Sequence, residues 1–243
     1  PGDEDIAEKA IRFGHPCRVL RPVADFTNSA VIGHIAAPDP SHHAESEKLM
    51  TRIMDFIVHE RAYRRWYGLM DFGDIYCGFY SDLDRWAYDD GGYAWINTES
   101  LPDYGMWIAS LRNARPDWLE AAIEMSRHNR DVDNFHRGPL NGLGSRHNVN
   151  HWGCADKEWR ISMPLVRRLH YYVTADPWTL EHIRNVVALF QIRERTKTIA
   201  PSMVSATAGV YVKWEMTGTP ADRKVIDNLA DLYATAVRPD GQF

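Results

Sequence analysis

Three segments of the chain share one arrangement, in which an apolar helix leads through a short turn into a second helix that begins with proline. Pro116, Pro177 and Pro220 stand at these starts, where a missing backbone N–H costs nothing because the first helical turn leaves it unpaired. Acidic residues near each proline favour a helix N-terminus. The segments predict three helix hairpins, and because strand patterns are sparse we expect a mainly α protein.

The intervals between these three prolines are unequal. A solenoid keeps one strict period, whereas helix pairs joined by variable loops do not. Short turns at one end of the hairpins and long loops rich in Gly, Asp and His at the other indicate an (α/α) toroid, a ring of inner and outer helices. The predicted helices are too few to close such a ring, so we expect an incomplete toroid that is completed by helices beyond Phe243.

The N-terminal part differs from the rest of the chain. Its short apolar pieces are interrupted by four prolines, so residues 1–44 are predicted to form an irregular segment and residues 45–243 the partial toroid. Between Glu45 and Trp66, apolar residues recur at helical spacing, which predicts an amphipathic helix. Residues 67–99 have no sustained period and are expected to form a long ordered loop.

The charge pattern excludes several classes of partner. A net charge of -5 without a basic stripe makes nucleic acid and anionic membrane unsuitable partners. No apolar run approaches the roughly 20 residues of a spanning helix. The three cysteines lack C-x-x-C spacing, so neither a disulfide framework nor a zinc ribbon is indicated.

The segment from Arg127 to Gly153 is the strongest local signal for chemistry. It holds four of the eleven histidines, together with arginine, asparagine and glycine. This composition is typical of a loop rather than of a packed core. Because Phe135 and Trp152 would be costly to leave in water, we expect an ordered loop that carries the functional groups between Arg127 and Trp152.

Two patterns in this segment raise the question of a metal. His147 and His151 are four residues apart and would share one helix face, but a zinc peptidase needs Glu beside the first histidine, and Asn148 stands there instead. Asp131, Asp133 and His136 offer further ligand atoms. Since Asp-x-Asp at a helix end is typical of a solvated cap, we expect no metal site, with a divalent cation such as calcium as the open alternative.

A second group of candidates precedes the hairpins. Asp71 and Asp74 lie three residues apart, near Tyr76, and fit either the two carboxylates of a glycosidase or acidic caps of a glycine turn. Trp95 is a candidate sugar platform. Glu99 fits either a clamp on sugar hydroxyls or an ordinary acid in a first helical turn.

The succession YGLMDFGD, WINTE, RPDWLEAAIEMSRHNRDVDNFH, HNVNHWG and YYVTADPWTLEHI resembles the (α/α) toroid domain of polysaccharide lyases, in particular exo-rhamnogalacturonan lyase-like proteins and rhamnose-glucuronate lyases. The likeness runs from about Tyr67 to Tyr233. Where that family has a Thr-Gly-Asp turn, this chain has Ala175 in one hairpin and Thr219 in another. The resemblance implies a polysaccharide or oligosaccharide substrate and a secreted or periplasmic protein.

A lyase acting on a uronic acid must neutralise the carboxylate, remove the C5 proton and protonate the leaving oxygen. His147 or His151 is the candidate base, because the unperturbed pKa of histidine lies near neutral pH. Arg146 and Asn150 are the candidates to face the carboxylate, and Tyr76 is the candidate acid. The other candidate substrate contacts are Arg127, His136, Asn148, Trp152, Trp95, Glu99, Asp71 and Asp74.

Two alternatives to the lyase remain open at this point. One is a glycoside hydrolase of the same helical architecture, which would use Asp71, Asp74 or Glu99 as its carboxylate pair. The other is a non-catalytic helical repeat that binds glycans or proteins. In each case we expect the remainder of the same chain to be a further partner.

Overall fold

The computed structural model describes residues 5–9, 21–33, 35–68, 72–76, 78–86, 101–145, 157–190 and 201–236. The helices are α1 (Val23–Ser29), α2 (Pro40–Tyr63), α3 (Pro102–Asn113), α4 (Pro116–His128), α5 (Trp159–Ser162), α6 (Pro164–Thr174), α7 (Pro177–Phe190), α8 (Pro201–Thr217) and α9 (Pro220–Ala236). A π-helix, Asn129–Asp133, extends α4, and a 3-10 turn follows at Gly138–Leu140. The prediction of a mainly α chain is confirmed.

Within the described ranges, the strands are short and form two antiparallel pairs. β1 (Phe79–Tyr80) pairs with β2 (Arg85–Trp86), and β3 (Gly144–Ser145) pairs with β4 (Lys157–Glu158). The first pair lies within residues 67–99, which were predicted to form a long ordered loop. Neither pair builds a sheet large enough to carry a core, so helix packing determines the architecture.

Proline marks the start of each described helix that is longer than ten residues. Pro116, Pro177 and Pro220 open the second helices of the three predicted hairpins, α3–α4, α6–α7 and α8–α9, which are therefore confirmed. The other helices that begin at proline start at Pro40, Pro102, Pro164 and Pro201. At such a position the ring fixes a helical φ, and the absent N–H would have had no partner in the helix.

The three hairpins share a two-residue turn whose first residue is left-handed. Ala114, Ala175 and Gly218 have φ values of 50°, 54° and 66°. The N–H of each donates to a carbonyl four residues earlier, in the last turn of the preceding helix. Glycine meets this requirement without strain, whereas alanine has an unfavourable contact of its Cβ. The third hairpin alone therefore carries the usual turn residue.

α2 begins earlier than the sequence pattern predicted. The Asp39 side chain accepts hydrogen bonds from the backbone N–H groups of Ser41 and His42 at 3.1 and 3.2 Å, which caps the helix directly before Pro40. The helix is bent at His43, where φ and ψ leave the helical region. None of the described helices has both the length and the apolar character needed to cross a membrane.

The main hydrophobic core lies between α2, α3, α4 and α6. Trp107 of α3, Trp118 of α4 and Leu169 of α6 lie in this core and are at most 1% exposed. A smaller cluster around Ile183 and Val212 joins α7 to α8. Successive hairpins therefore pack side by side, as in an α/α toroid, and no single pair buries its apolar face alone.

An ion pair crosses the main core. The Arg167 guanidinium of α6 pairs with the Asp103 carboxylate of α3, and both side chains are completely buried. Arg167 also donates to the Ser126 carbonyl of α4 at 2.7 Å, and Trp107 Nε1 donates to Ser126 Oγ at 2.9 Å. Burial raises the pKa of Asp103 against the opposing effect of Arg167. The ion pair and the contacts at Ser126 therefore connect α3, α4 and α6.

Candidate functional site

The C-terminal end of α4 changes into a π-helix, which brings two titratable side chains together. His128 is the last residue of α4, and Asp133 is the last residue of the π-helix. Residues five apart lie about 140° apart around an α-helix, but the π-helix pairs residue i with i+5 and so places them on one side. His128 Nε2 lies 3.5 Å from Asp133 Oδ1. The sequence interpretation of Asp133 as a solvated cap is wrong, since this residue is only 4% exposed.

A glycine turn brings a second carboxylate to the same imidazole. Gly73 has a φ of 90°, and a Cβ at this position would overlap the backbone carbonyl of Glu124 in α4. The absence of a side chain therefore permits the close approach that places Asp74 Oδ2 3.4 Å from His128 Nε2. Asp74 Oδ1 accepts a hydrogen bond of 2.7 Å from the Ile75 N–H.

The side chains of His128, Asp74 and Asp133 form one buried charged cluster, with exposures of 3%, 2% and 5%. Burial opposes a charged imidazole, but the charges and hydrogen bonds of Asp133 and Asp74 outweigh it and raise the pKa of His128 to about 11. Burial raises the pKa of Asp133 to about 6, although His128 acts in the opposite direction. One imidazolium therefore does not fully balance two buried carboxylates.

Arg130 and Asp131, which lie between His128 and Asp133 in the sequence, make polar contacts outside the buried charged cluster. Arg130 binds both oxygens of Asp131, at 2.5 and 2.7 Å, and also pairs with Asp176 at the start of α7. The same guanidinium donates to Thr179 Oγ1 at 3.0 Å. Arg130 thus joins the π-helix to the α6–α7 turn, and it also lines an adjacent opening.

This opening is a cleft of about 260 Å³ between the π-helix, the residues that flank the 3-10 turn, and α7. Trp178 lies at its mouth and is 68% exposed, the most exposed large hydrophobic side chain among the described residues. Asp176 Oδ1 accepts a 2.9 Å hydrogen bond from the Trp178 N–H and so fixes the first turn of α7. The lining residues are Arg130, Asp131, His136, Asn141, Trp178, Glu181, His182 and Asn185.

Two further histidines near this cleft are held neutral. Burial, followed by the positive charge of Arg167, lowers the pKa of His182 to about 3, and the same causes lower that of His170 to about 3. His182 Nε2 has no hydrogen-bond partner in the part of the chain that the structure describes, whereas His170 Nδ1 lies 2.9 Å from Thr179 Oγ1. These histidines differ from His128, whose neighbours are carboxylates rather than a guanidinium.

Strands β3 and β4 pair at the two ends of residues 146–156, which we call the histidine-rich loop, and this pair lies beside the charged cluster. Gly144 pairs with Glu158, and Gly144 also bridges to Asn134, the residue after Asp133. The loop residues between β3 and β4 lie outside the described residues. The candidates His147, His151, Arg146, Asn148, Asn150 and Trp152 therefore remain predictions, as do Trp95, Glu99 and Asp71, which also lie outside the described ranges.

Four candidates from the sequence lie within the described residues, and the structure separates them. His136 lines the cleft and Arg127 is exposed at the end of α4. Asp74 belongs to the buried cluster. Tyr76 is half-buried and does not line the cleft, because its ring packs against Trp66 at a centroid distance of 5.0 Å.

The sequence interpretation missed the α7 side of the cleft. Trp178, Glu181, His182 and Asn185 are spaced i, i+3, i+4 and i+7, so they share one face of a helix. A polar and aromatic face that begins directly after Pro177 is a signal present in the sequence.

The helix hairpins and the cleft at one end of them define an α/α toroid domain. Residues 16–236 match the family described as PcRGLX-like protein C-terminal alpha/alpha toroid domain, and the chain belongs to this family. The chain is similar to an uncharacterized protein, YetA of Bacillus subtilis (strain 168), with 38% identity over 181 residues. That alignment covers 74% of this chain and 21% of the relative, so the chain spans about a fifth of its length.

Proposed function

We propose that this domain binds a glycan in the cleft between the π-helix and α7, and that the whole protein cleaves a uronic-acid-containing polysaccharide by β-elimination. The observation that carries the proposal is the combination of an exposed Trp178 with amide, carboxylate, imidazole and guanidinium groups around one open cleft. A flat indole face suits the apolar face of a sugar ring, and the polar groups suit its hydroxyls.

The family assignment supports a carbohydrate ligand. The family is named for PcRGLX-like proteins, and the sequence resembles rhamnogalacturonan and rhamnose-glucuronate lyases over most of the chain. A lyase of this kind requires a cation or amide at the uronate carboxylate and a base at C5. In the proposal, His147 or His151 is the base, Arg146 and Asn150 face the carboxylate, and the protein is secreted or periplasmic.

The position of the loop base supports this arrangement. The β3–β4 pair holds both ends of the histidine-rich loop next to Asn134, which follows the π-helix that lines the cleft. Arg130 faces the cleft but is already paired with Asp131 and Asp176. We therefore assign it to positioning these carboxylates, and we assign recognition of the uronate to the loop.

One observation argues against the hydrolase alternative in the form given by the sequence. Asp74 is 1% exposed and faces His128, so it is not available to act on a glycosidic bond. The carboxylates that do line the cleft are Asp131 and Glu181. A hydrolase would have to use these two groups, and its product would be a reducing sugar without a new double bond.

The catalytic part of the proposal is tested by product analysis. The full-length protein is incubated with rhamnogalacturonan oligosaccharides, and ultraviolet absorbance of the unsaturated product is followed beside a reducing-sugar assay. We expect absorbance to appear in the wild type and to be lost in His147→Ala or His151→Ala. Full absorbance in both variants would exclude these bases, and reducing sugar without absorbance would favour hydrolysis.

The binding part is tested separately with Trp178→Ala. Covering about 60 Å² of the indole face with a sugar ring contributes about 1.5 kcal/mol, so the affinity for the oligosaccharide should fall about tenfold. The matched control is Tyr63→Ala, which removes an aromatic ring that is 60% exposed on α2, outside the cleft. Equal affinity of the Trp178 variant and the wild type would remove the cleft from the proposal.

A further inference from the structure

We propose that Asp74, His128 and Asp133 bind a divalent transition-metal ion such as Zn²⁺. Each residue offers one ligand atom, and the three atoms lie within 4.8 Å of one another. Imidazole nitrogen and carboxylate oxygen are both ligands that zinc accepts in proteins. This site is distinct from the cleft and does not depend on the proposed function.

The distances within the cluster suit an ion between the ligands better than a shared proton. His128 Nε2 is 3.4 Å from Asp74 Oδ2 and 3.5 Å from Asp133 Oδ1. A direct hydrogen bond between charged partners is shorter, at about 2.7–2.9 Å. Tetrahedral zinc with bonds of about 2.0–2.1 Å separates its ligand atoms by about 3.3–3.4 Å. The two distances from the imidazole nitrogen are close to this second value, and the two carboxylate atoms lie within 4.8 Å of each other.

Hydrogen bonds from the other polar atoms of the same side chains orient the ligand atoms of His128 and Asp74. His128 Nδ1 donates to the Phe72 carbonyl at 2.8 Å, which directs Nε2 towards the two carboxylates. The Ile75 N–H donates to Asp74 Oδ1, which leaves Oδ2 to face His128. Metal-bound histidines and carboxylates are typically fixed in this way by partners behind them.

The second carboxylate oxygen of Asp133 is a further indication of a cation. Asp133 Oδ2 is buried and has no hydrogen-bond partner among the described residues. A buried oxygen without a partner is costly, and a cation bound at the Asp133 carboxylate would remove this cost. The two oxygens of one carboxylate are too close together to fill two tetrahedral corners, so the cluster supplies three protein ligands and leaves the fourth position to a small molecule.

The charge balance leads to the same assignment. Two ionised carboxylates carry a charge of about -2, which one divalent ion neutralises. Among the described residues, the Arg167 guanidinium acts electrostatically on Asp133, but its ion pair is with Asp103, and Arg130 pairs with Asp131 and Asp176.

Burial indicates the role of the ion. The three side chains are at most 5% exposed, so a substrate cannot reach the metal. The ligands come from the Gly73–Asp74 turn, the end of α4 and the end of the π-helix. The ion would therefore fasten the turn to the helix and hold the π-helix that forms one wall of the cleft.

The test begins with the wild-type protein. After treatment with a chelator and dialysis, it is titrated with Zn²⁺, and separately with Mn²⁺ and Ca²⁺, in competition with a chromophoric chelator. We expect one equivalent of a transition-metal ion to bind and the thermal unfolding temperature to rise. Ca²⁺ should bind far more weakly, because it prefers six to eight oxygen ligands. Absence of stoichiometric Zn²⁺ and Mn²⁺ binding by folded wild-type protein would overturn the proposal.

The site is then located with conservative variants. Asp133→Asn and His128→Gln should weaken binding more than about 100-fold, since even partners behind a ligand contribute 10–100-fold. Asp131→Asn and His136→Gln are the matched controls, because they alter an exposed acid and an exposed histidine of the same segment. Circular dichroism identifies any variant that fails to fold. Unchanged affinity in a folded Asp133 variant would also overturn the proposal.

Discussion

The buried neutral histidines should make this domain sensitive to acid. Burial, with the positive charge of Arg167, lowers the pKa of His182 to about 3, against about 6.5 in an unfolded chain. Below about pH 6.5, His182 therefore binds a proton in the unfolded state but not in the folded state. By linkage the free energy of unfolding falls as the pH decreases through the window from about 6.5 to about 3, and it is unaffected by this group above that window.

The magnitude follows from the two pKa values. Between about pH 7.5 and about pH 5, one such histidine lowers the free energy of unfolding by about 2 kcal/mol. His170, whose pKa is also lowered to about 3, adds a similar amount. Because both side chains are at most 5% exposed, solvent screening reduces this effect little. The two histidines together lower the free energy of unfolding by about 4 kcal/mol over this range, whereas the raised pKa of His128 acts in the opposite direction and adds stability as the pH falls.

The assay compares urea unfolding of the wild type and His182→Gln at the two pH values. Glutamine keeps a polar side chain of similar length but does not titrate, so the variant should lose about 2 kcal/mol less than the wild type on acidification. His59→Gln, which changes an exposed histidine of α2, is the control and should behave as the wild type. Equal losses in the wild type and His182→Gln would refute the reasoning.

Three further predictions concern stability and are measured by urea unfolding. Gly73→Ala should lower the free energy of unfolding by about 2–4 kcal/mol, because the new Cβ would clash with the Glu124 backbone at a residue that already has a positive φ. The control is Gly33→Ala, which has a φ of 84° but open space around it and should cost only about 1 kcal/mol. Similar costs would contradict the close approach. Ala175→Gly should stabilise the α6–α7 turn by about 0.5–1 kcal/mol, and no gain would contradict its left-handed strain. Arg167→Met should lower the free energy of unfolding by about 3–5 kcal/mol, because it leaves the buried Asp103 carboxylate unpaired. Adding a substitution that neutralises Asp103 should recover part of this loss, and additive losses would refute the coupling between the two residues.

The hairpins could be predicted from the sequence because their signals are local. Pro116, Pro177 and Pro220 each open a helix, and the spacing of apolar residues identifies the helix before each of them. The start of α2 was placed too late, because its cap depends on the Asp39 side chain rather than on apolar spacing. The β1–β2 pair was missed because two residues per strand are too short for a pattern to appear.

The candidate site was predicted only in part, because its assembly depends on contacts between distant segments. The sequence placed the chemistry in the segment that begins at Arg127, and His136 does line the cleft. It did not show that Asp74 reaches His128, since this contact requires the Gly73 turn to lie against the α4 backbone. Nor did it show that Trp178 stands beside the π-helix, since that position follows from hairpin packing.

The π-helix accounts for how one short segment serves two environments. In Asn129–Asp133, the wider turn directs Asp133 inward to His128, while Arg130 and Asp131 face the cleft. An α-helical continuation would move Asp133 about 140° away from His128 and break the charged cluster. Because the same backbone forms the cleft wall, any change that restores a regular helix there would disturb both sites together. The Asp-Val-Asp spacing therefore matters through backbone geometry, which a comparison of side-chain types alone does not detect.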